Sequence, residues 1–228
     1  MEIKKKSIES LKKRVKEIIK ILRRSYPHSQ TALHYQTPFQ LLVATILAAQ
    51  CTDERVNQIT PQLFQKYPTI DSLAEAKQEE VEAIIRPTGF FRHKARHLIA
   101  AAQAIMENFG GEVPGEMDKL ISLPGVARKT ANIVLSSAFK RAEGIAVDTH
   151  VRRLARRLGL SSAQDPNKIE EDLMAIVPRE DWLDFNYLLV DHGRAVCQAR
   201  RPCCQECVLR FLCPSADKID SPGARRNK

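Results

Sequence analysis

The sequence predicts an all-α protein, on three observations. Apolar residues recur at helical spacing along almost the whole chain, no segment alternates convincingly as a strand would, and capping and stop signals fall between the periodic segments. With 228 residues, 43% of them hydrophobic, the chain can build one large domain or two small ones with real cores. No internal repeat or low-complexity stretch interrupts the pattern.

Residues 7–24 carry Ile8, Leu11, Val15, Ile18, Ile19 and Leu22 on one face and lysines and arginines on the other. This is an amphipathic helix with a solvated basic face, ended by Tyr26-Pro27. Thr37-Pro38-Phe39-Gln40 reads as a capping box with proline at the first helical position. Residues 41–49 are apolar nearly all round, as a helix in the middle of a bundle would be. Further helices are predicted over about 53–66, 70–76, 78–85, 92–109, 116–122, 127–140, 148–158, 166–177 and 181–196. Gly110-Gly111 stops the long one, and Asp148 and Asp165 stand at N-cap positions. The polar stretch 217–228 is expected to be a disordered tail.

Thirty-six lysines and arginines against twenty-seven acidic residues leave a net charge of +9, which favours a polyanionic partner through phosphate neutralisation and counterion release. No run of 18 apolar residues exists, and no compact apolar stretch follows Met1-Glu2-Ile3-Lys4-Lys5-Lys6. A membrane span and a signal peptide are therefore not expected, and the protein is placed in a reducing cytoplasm. Structural disulfides are rare there, which draws notice to the six cysteines. Cys51 stands alone, while Cys197, Cys203, Cys204, Cys207 and Cys213 crowd together.

Leu123-Pro124-Gly125-Val126-Ala127-Arg128-Lys129-Thr130-Ala131 is the most informative stretch. A helix ends before Leu123, Pro124 and Gly125 make a tight turn, and a helix begins at about Ala127. A turn running into a helix N-terminus aims backbone N–H groups and the positive dipole end at one spot, a site for a phosphate oxygen that anchors a backbone without reading bases. Lys129 falls in the first turn, where the dipole disfavours its ammonium form and partial burial would act the same way. A lysine so depressed suits Schiff-base chemistry. On the hairpin alone, however, it reads better as one more DNA-facing cation. In Val147-Asp148-Thr149-His150-Val151, Asp148 caps a helix carrying Arg152, Arg153, Arg156 and Arg157. Beside a reactive lysine its carboxylate could also do electrostatic work, whereas His150 alone reads as structural.

Four cysteines follow the pattern C-x6-C-x2-C-x5-C: Cys197, Cys204, Cys207 and Cys213. The C-x2-C spacing brings two thiolates to one metal, and four thiolates suit zinc or an iron–sulfur cluster equally well. Arg200, Arg201 and Arg210 lie within or beside this loop.

Taken together, the hairpin, the Val-Asp-Thr-His segment and the cysteine spacing resemble the endonuclease III family of helix-hairpin-helix glycosylases, over about residues 10–215. The resemblance implies two helical domains with a DNA-binding cleft between them. One is a six-helix domain with the helix-hairpin-helix motif, here 31–141. The other joins the N-terminal helix (1–30) to 142–216 and carries a [4Fe–4S] cluster. Lys129 matches the family's Schiff-base lysine, Asp148 its essential aspartate, and Cys197, Cys204, Cys207 and Cys213 its cluster ligands. Gln50 matches the glutamine that fills the gap left by a flipped nucleotide, and Phe90 lies where a residue, often aliphatic, is wedged into the stack. Gly125, Ala127 and Arg128 fall in the DNA-binding hairpin. The implied activity is base-excision repair: a monomeric N-glycosylase that removes oxidised or ring-damaged pyrimidines from double-stranded DNA, and an AP lyase that cuts 3′ to the abasic site.

Two departures stand out. The family's hairpin usually has glycine where this chain has Ala127, and a methyl there bears on phosphate contact and on any bound cation. An aromatic wedge at Phe90 bears on the preferred opposite base. Cys51 and Cys203 have no place in the pattern and read as structural. An adenine glycosylase of the same superfamily would lack the lysine and carry a glutamate in the helix before Gln50, but Val43-Ala44-Thr45-Ile46-Leu47 has no carboxylate. A non-catalytic DNA-binding module with structural zinc would leave the Lys129–Asp148 pairing to chance.

Overall fold

The computed structural model describes residues 2–216, with side chains from Ile8 onward, so the expectation for 217–228 lies outside the described residues. Among them are eleven α-helices and no strand. The chain divides into two compact units, Thr31–Glu143 and the described part of Met1–Gln30 with Gly144–Lys228. No helix of the described residues is long and apolar enough to cross a membrane.

The Thr31–Glu143 unit holds α2 (Pro38–Leu47), α3 (Asp53–Lys66), α4 (Ile70–Ala74), α5 (Gln78–Ile85), α6 (Phe91–Phe109), α7 (Met117–Ile121) and α8 (Arg128–Ser137). Eight of the ten residues of α2 are buried, which makes it the central helix, packed by α3, α6 and α8. Its start is fixed as the sequence suggests: Pro38 opens the helix and Thr37 Oγ1 accepts from the Gln40 amide at 3.2 Å. The return bond differs from a standard box, because Gln40 Oε1 accepts from the Gln36 amide at 2.8 Å. Leu41, Leu42, Ile46 and Leu47 are each buried here. Removing any one should cost about 2–5 kcal/mol, so the end of α2 is a firm platform for the turn that carries Gln50.

The other unit packs α1 (Glu2–Ser25), α9 (Thr149–Arg157), α10 (Pro166–Ile176) and α11 (Phe185–Ala195). Val15, Ile18, Ile19 and Leu22 of α1 join Val151 and Leu154 of α9 and Phe185, Leu188 and Leu189 of α11 in one apolar cluster.

Three helix bounds depart from expectation, the first being the N-terminal helix, which is expected from residue 7 and begins at Glu2. The helix expected over 181–196 starts only at Phe185, after a 3-10 turn at Arg179–Asp181. The cause is long-range: Arg23 of α1 meets Asp181 at 2.6 Å and grips both oxygens of Asp184 at 2.8 and 3.0 Å, fixing those residues outside the helix. The segment expected as helix to residue 140 stops at Ser137, and Lys140 takes a left-handed φ of 53°.

Candidate functional site

The hairpin lies between α7 and α8. Leu123 and Val126 are buried and pin the turn, with Val126 N–H donating to Leu123 O at 3.1 Å. Gly125 has φ 77°, and a Cβ there would stand 2.8 Å from His97 Cβ on α6. Left-handed backbone costs a non-glycine residue about 1–2 kcal/mol before any clash. Gly125→Ala is therefore expected to lower the melting temperature and weaken affinity for undamaged duplex together, read by thermal denaturation and fluorescence anisotropy; unchanged affinity would detach the turn from DNA binding. Ala127 is extended (φ −85°, ψ 165°), a conformation open to any residue, so its methyl is not strained. As the N-cap it has no side-chain acceptor for the first-turn amides of α8, which leaves that positive end suited to an external anion.

Gly125, Ala127, Arg128 and Lys129 are all exposed. The Lys129 side chain stands in solvent at the first turn of α8, so burial does not act on it here.

In the same unit, α2 ends at Leu47 and the chain turns through Gln50 into α3, which Thr52 caps by accepting from the Arg55 amide at 3.2 Å. Gln50 is exposed with φ 53°. A 3-10 turn at Arg86–Thr88 leads through Gly89 to Phe90, which starts α6 with φ 48° and is 62% exposed. A large aromatic side chain held out in water on left-handed backbone is costly in two ways, and such strain collects at functional positions.

In the other unit, Asp148 caps α9, its Oδ1 accepting from the Val151 amide at 2.7 Å. The carboxylate is half-buried, and among the described residues Oδ2 has no partner. The four arginines of α9 divide by face. Arg152 and Arg156 are exposed, whereas Arg153 and Arg157 turn toward the cysteine loop. Arg157 donates to the carbonyls of Gln198 (2.7 Å) and Ala199 (2.9 Å) and lies 3.2 Å from Cys197 Sγ. Arg153 donates to the Cys197 and Gly193 carbonyls at 3.1 and 3.0 Å.

Cys197, Cys204, Cys207 and Cys213 line one cavity with Leu154, Arg157 and His192. Exposed Cys203, which the spacing set aside, lines it too. All five are free thiols. Two 3-10 turns, Cys204–Glu206 and Arg210–Leu212, bend the loop around the cavity. Burial pushes the Cys207 thiol up, and the nearby sulfurs of Cys197 and Cys213 push it further. Four buried or half-buried thiols around one cavity are the donor set a cationic centre would satisfy. No three His, Cys, Asp or Glu side chains of the described residues gather as a single bound ion requires. His192 closes one wall: burial drops it to about 4, so it is neutral, with Nδ1 3.0 Å from Tyr26 Oη and Nε2 3.4 Å from Cys207 Sγ.

His192 and His97 escaped the sequence reading, as did the contacts that Tyr26, Arg153 and Arg157 make around the cysteine loop. A histidine at the apolar end of α11 and arginines four apart on α9 were the available signals.

This arrangement, a hairpin running into a helix start with no side-chain cap and followed at once by a lysine in one helical unit, and a four-thiol loop in the other, defines a class that comparison with known proteins specifies. Residues 43–179 match the HhH-GPD superfamily of base excision DNA repair proteins. The chain is 55% identical over 211 residues to endonuclease III of Synechocystis, covering 92% of this chain and 96% of that protein. It is 43% identical over 199 residues to endonuclease III of Bacillus subtilis, covering 87% and 90%. In structure it resembles a trapped endonuclease III–DNA covalent intermediate with a TM-score of 0.86 at 39% identity, covering 91% of this chain and 97% of that one. The chain belongs to the endonuclease III family, within that superfamily. It is a base-excision repair enzyme, a DNA glycosylase and AP lyase.

Proposed function

We propose that this enzyme removes oxidised or ring-damaged pyrimidines from duplex DNA and cuts the abasic product by Schiff-base β-elimination, with Lys129 as nucleophile. The observation that carries this reading is an exposed lysine in the first turn of α8, directly after a hairpin suited to hold a phosphate.

The target nucleotide leaves the stack at a cost of a few kcal/mol, less for a damaged base. Gln50 and Phe90 enter the space it vacates, and Gly125, Ala127 and Arg128 hold the backbone. Lys129 reacts as its free amine, the form Schiff-base chemistry requires. Its Nζ attacks C1′; the C1′–N bond breaks and the base leaves with a proton. Ring opening gives the imine, loss of a C2′ proton expels the 3′ phosphate, and water hydrolyses the imine to free the lysine. Asp148, with Oδ1 held by the Val151 amide, stabilises positive charge on the sugar through its other oxygen and assists proton transfer.

Cys197, Cys204, Cys207 and Cys213 fit a [4Fe–4S] cluster, because all four line one cavity and follow the C-x6-C-x2-C-x5-C spacing. When bound, the cluster supplies structure by cross-linking the loop. Arg157 and Arg153 hold that loop to α9, and neutral His192 donates from Nε2 to a Cys207 thiolate while Tyr26 donates to Nδ1. In this reading Thr31–Glu143 is the hairpin domain, the other unit is the cluster domain, and the enzyme works as a monomer on cytoplasmic DNA.

A panel of lesion-bearing duplexes, scored separately for base release and strand scission, tests the assignment. Oxidised pyrimidines should be released fastest, each release accompanied by a cut. Release without scission, or a preference for purines, would refute it.

A further inference from the structure

We propose that Lys94 is a positioning residue, locking together the two loops that present Gln50 and Phe90 to the DNA stack. The proposal rests on the insertion roles proposed for those two side chains.

Lys94 belongs to the first turns of α6, yet it is only 5% exposed. Its Nζ donates to Leu47 O and to Thr88 O, each at 2.8 Å. Leu47 is the last residue of α2, three before Gln50; Thr88 closes the 3-10 turn, two before Phe90. The Lys94 amide also donates to Phe90 O at 3.0 Å. One residue thus bonds the root of each loop and the backbone of one tip.

Both tips need such support. Gln50 (φ 53°) and Phe90 (φ 48°) are two of the three non-glycine residues with positive φ among the described residues. Backbone of this kind persists only where its surroundings over-determine it, and both side chains face solvent, so their own packing does not supply that. Leu47 O is a carbonyl at the end of a helix, where the helix itself offers no donor and the dipole favours a cation. Without the ammonium, two carbonyl groups in a buried site lose their partner.

Burial pushes the Lys94 amine down, opposed in part by Cys51 nearby. Enclosed between two carbonyls, it has no path to a sugar carbon, which separates it from the nucleophile. It acts through Gln50 and Phe90.

The test is a mutant cycle in full-length holoenzyme, using single-turnover base release from a duplex carrying one oxidised pyrimidine. Lys94→Met is expected to slow release about tenfold without a matching change in duplex affinity. In a Gln50→Ala/Phe90→Ala background the further loss should nearly vanish, because the groups being positioned are gone. Full additivity, or no effect of Lys94→Met in the parent enzyme, would overturn the proposal. A Gln50→Ala/Phe90→Ala enzyme as fast as the parent would instead show that the insertion roles are wrong, and the proposal would fall with them. Should Lys94→Met not fold, Lys94→Gln, which keeps an amide donor, replaces it in the cycle. If neither folds, the ammonium holds the whole unit rather than two loops, and the proposal fails.

Discussion

Lys129→Gln is expected to lose strand scission and damaged-base release by about 10³-fold or more, the scale on which removal of a covalent nucleophile is felt. The side chain is exposed at a helix start, so stability should stay within about 0.5 kcal/mol and the loss will report chemistry. Lys129→Arg is the sharper variant. It keeps the positive charge beside the hairpin and cannot form an imine. A lysine serving only as a phosphate contact would be rescued by arginine; a nucleophile would not. Equal inactivity of the two variants, with duplex affinity preserved in Lys129→Arg by anisotropy, is the expected pattern.

Cys207→Ser should have the second large effect. Cys207 lies half-buried, close enough to Cys197 and Cys213 for their charges to raise it, and His192 Nε2 faces its sulfur at 3.4 Å. Exchanging that sulfur is expected to abolish the yellow-brown colour and the bound iron, and to expose 197–213 to protease. Cys203→Ser should leave colour and iron intact, since Cys203 is exposed and outside the C-x6-C-x2-C-x5-C spacing even though it borders the same cavity. A colourless parent protein carrying stoichiometric zinc would contradict the cluster assignment directly.

Most of the helical framework was legible because local signals agree with tertiary ones. Thr37-Pro38 and the apolar run after it mark α2 and also require its burial. What local pattern misses is set by distant partners. The start of α11 is delayed by Arg23, 161 residues away from Asp184 in sequence. The sequence puts four arginines on α9 without dividing them, yet Arg153 and Arg157 are spent on the cysteine loop, and Arg152 and Arg156 are the exposed pair. Cysteine spacing reveals a chelating loop but not the Tyr26–His192 pair behind it, which needs α1 packed on α11. Lys94 hid in plain view: it sits on the apolar stripe with Phe91, Ala95, Leu98 and Ile105, where a charged residue must find partners from elsewhere. The burial state of Lys129 depends on how the hairpin presents it, which local pattern does not fix; the side chain is exposed.

The most direct measurement is to map the covalent adduct. Parent enzyme is incubated with duplex containing one abasic site, reduced with borohydride, digested, and the cross-linked peptide sequenced by mass spectrometry. The sugar fragment should be found on Lys129 and nowhere else. A fragment carried by any other amine, buried Lys94 or the chain's α-amino group included, would mean that the reaction is assigned to the wrong residue.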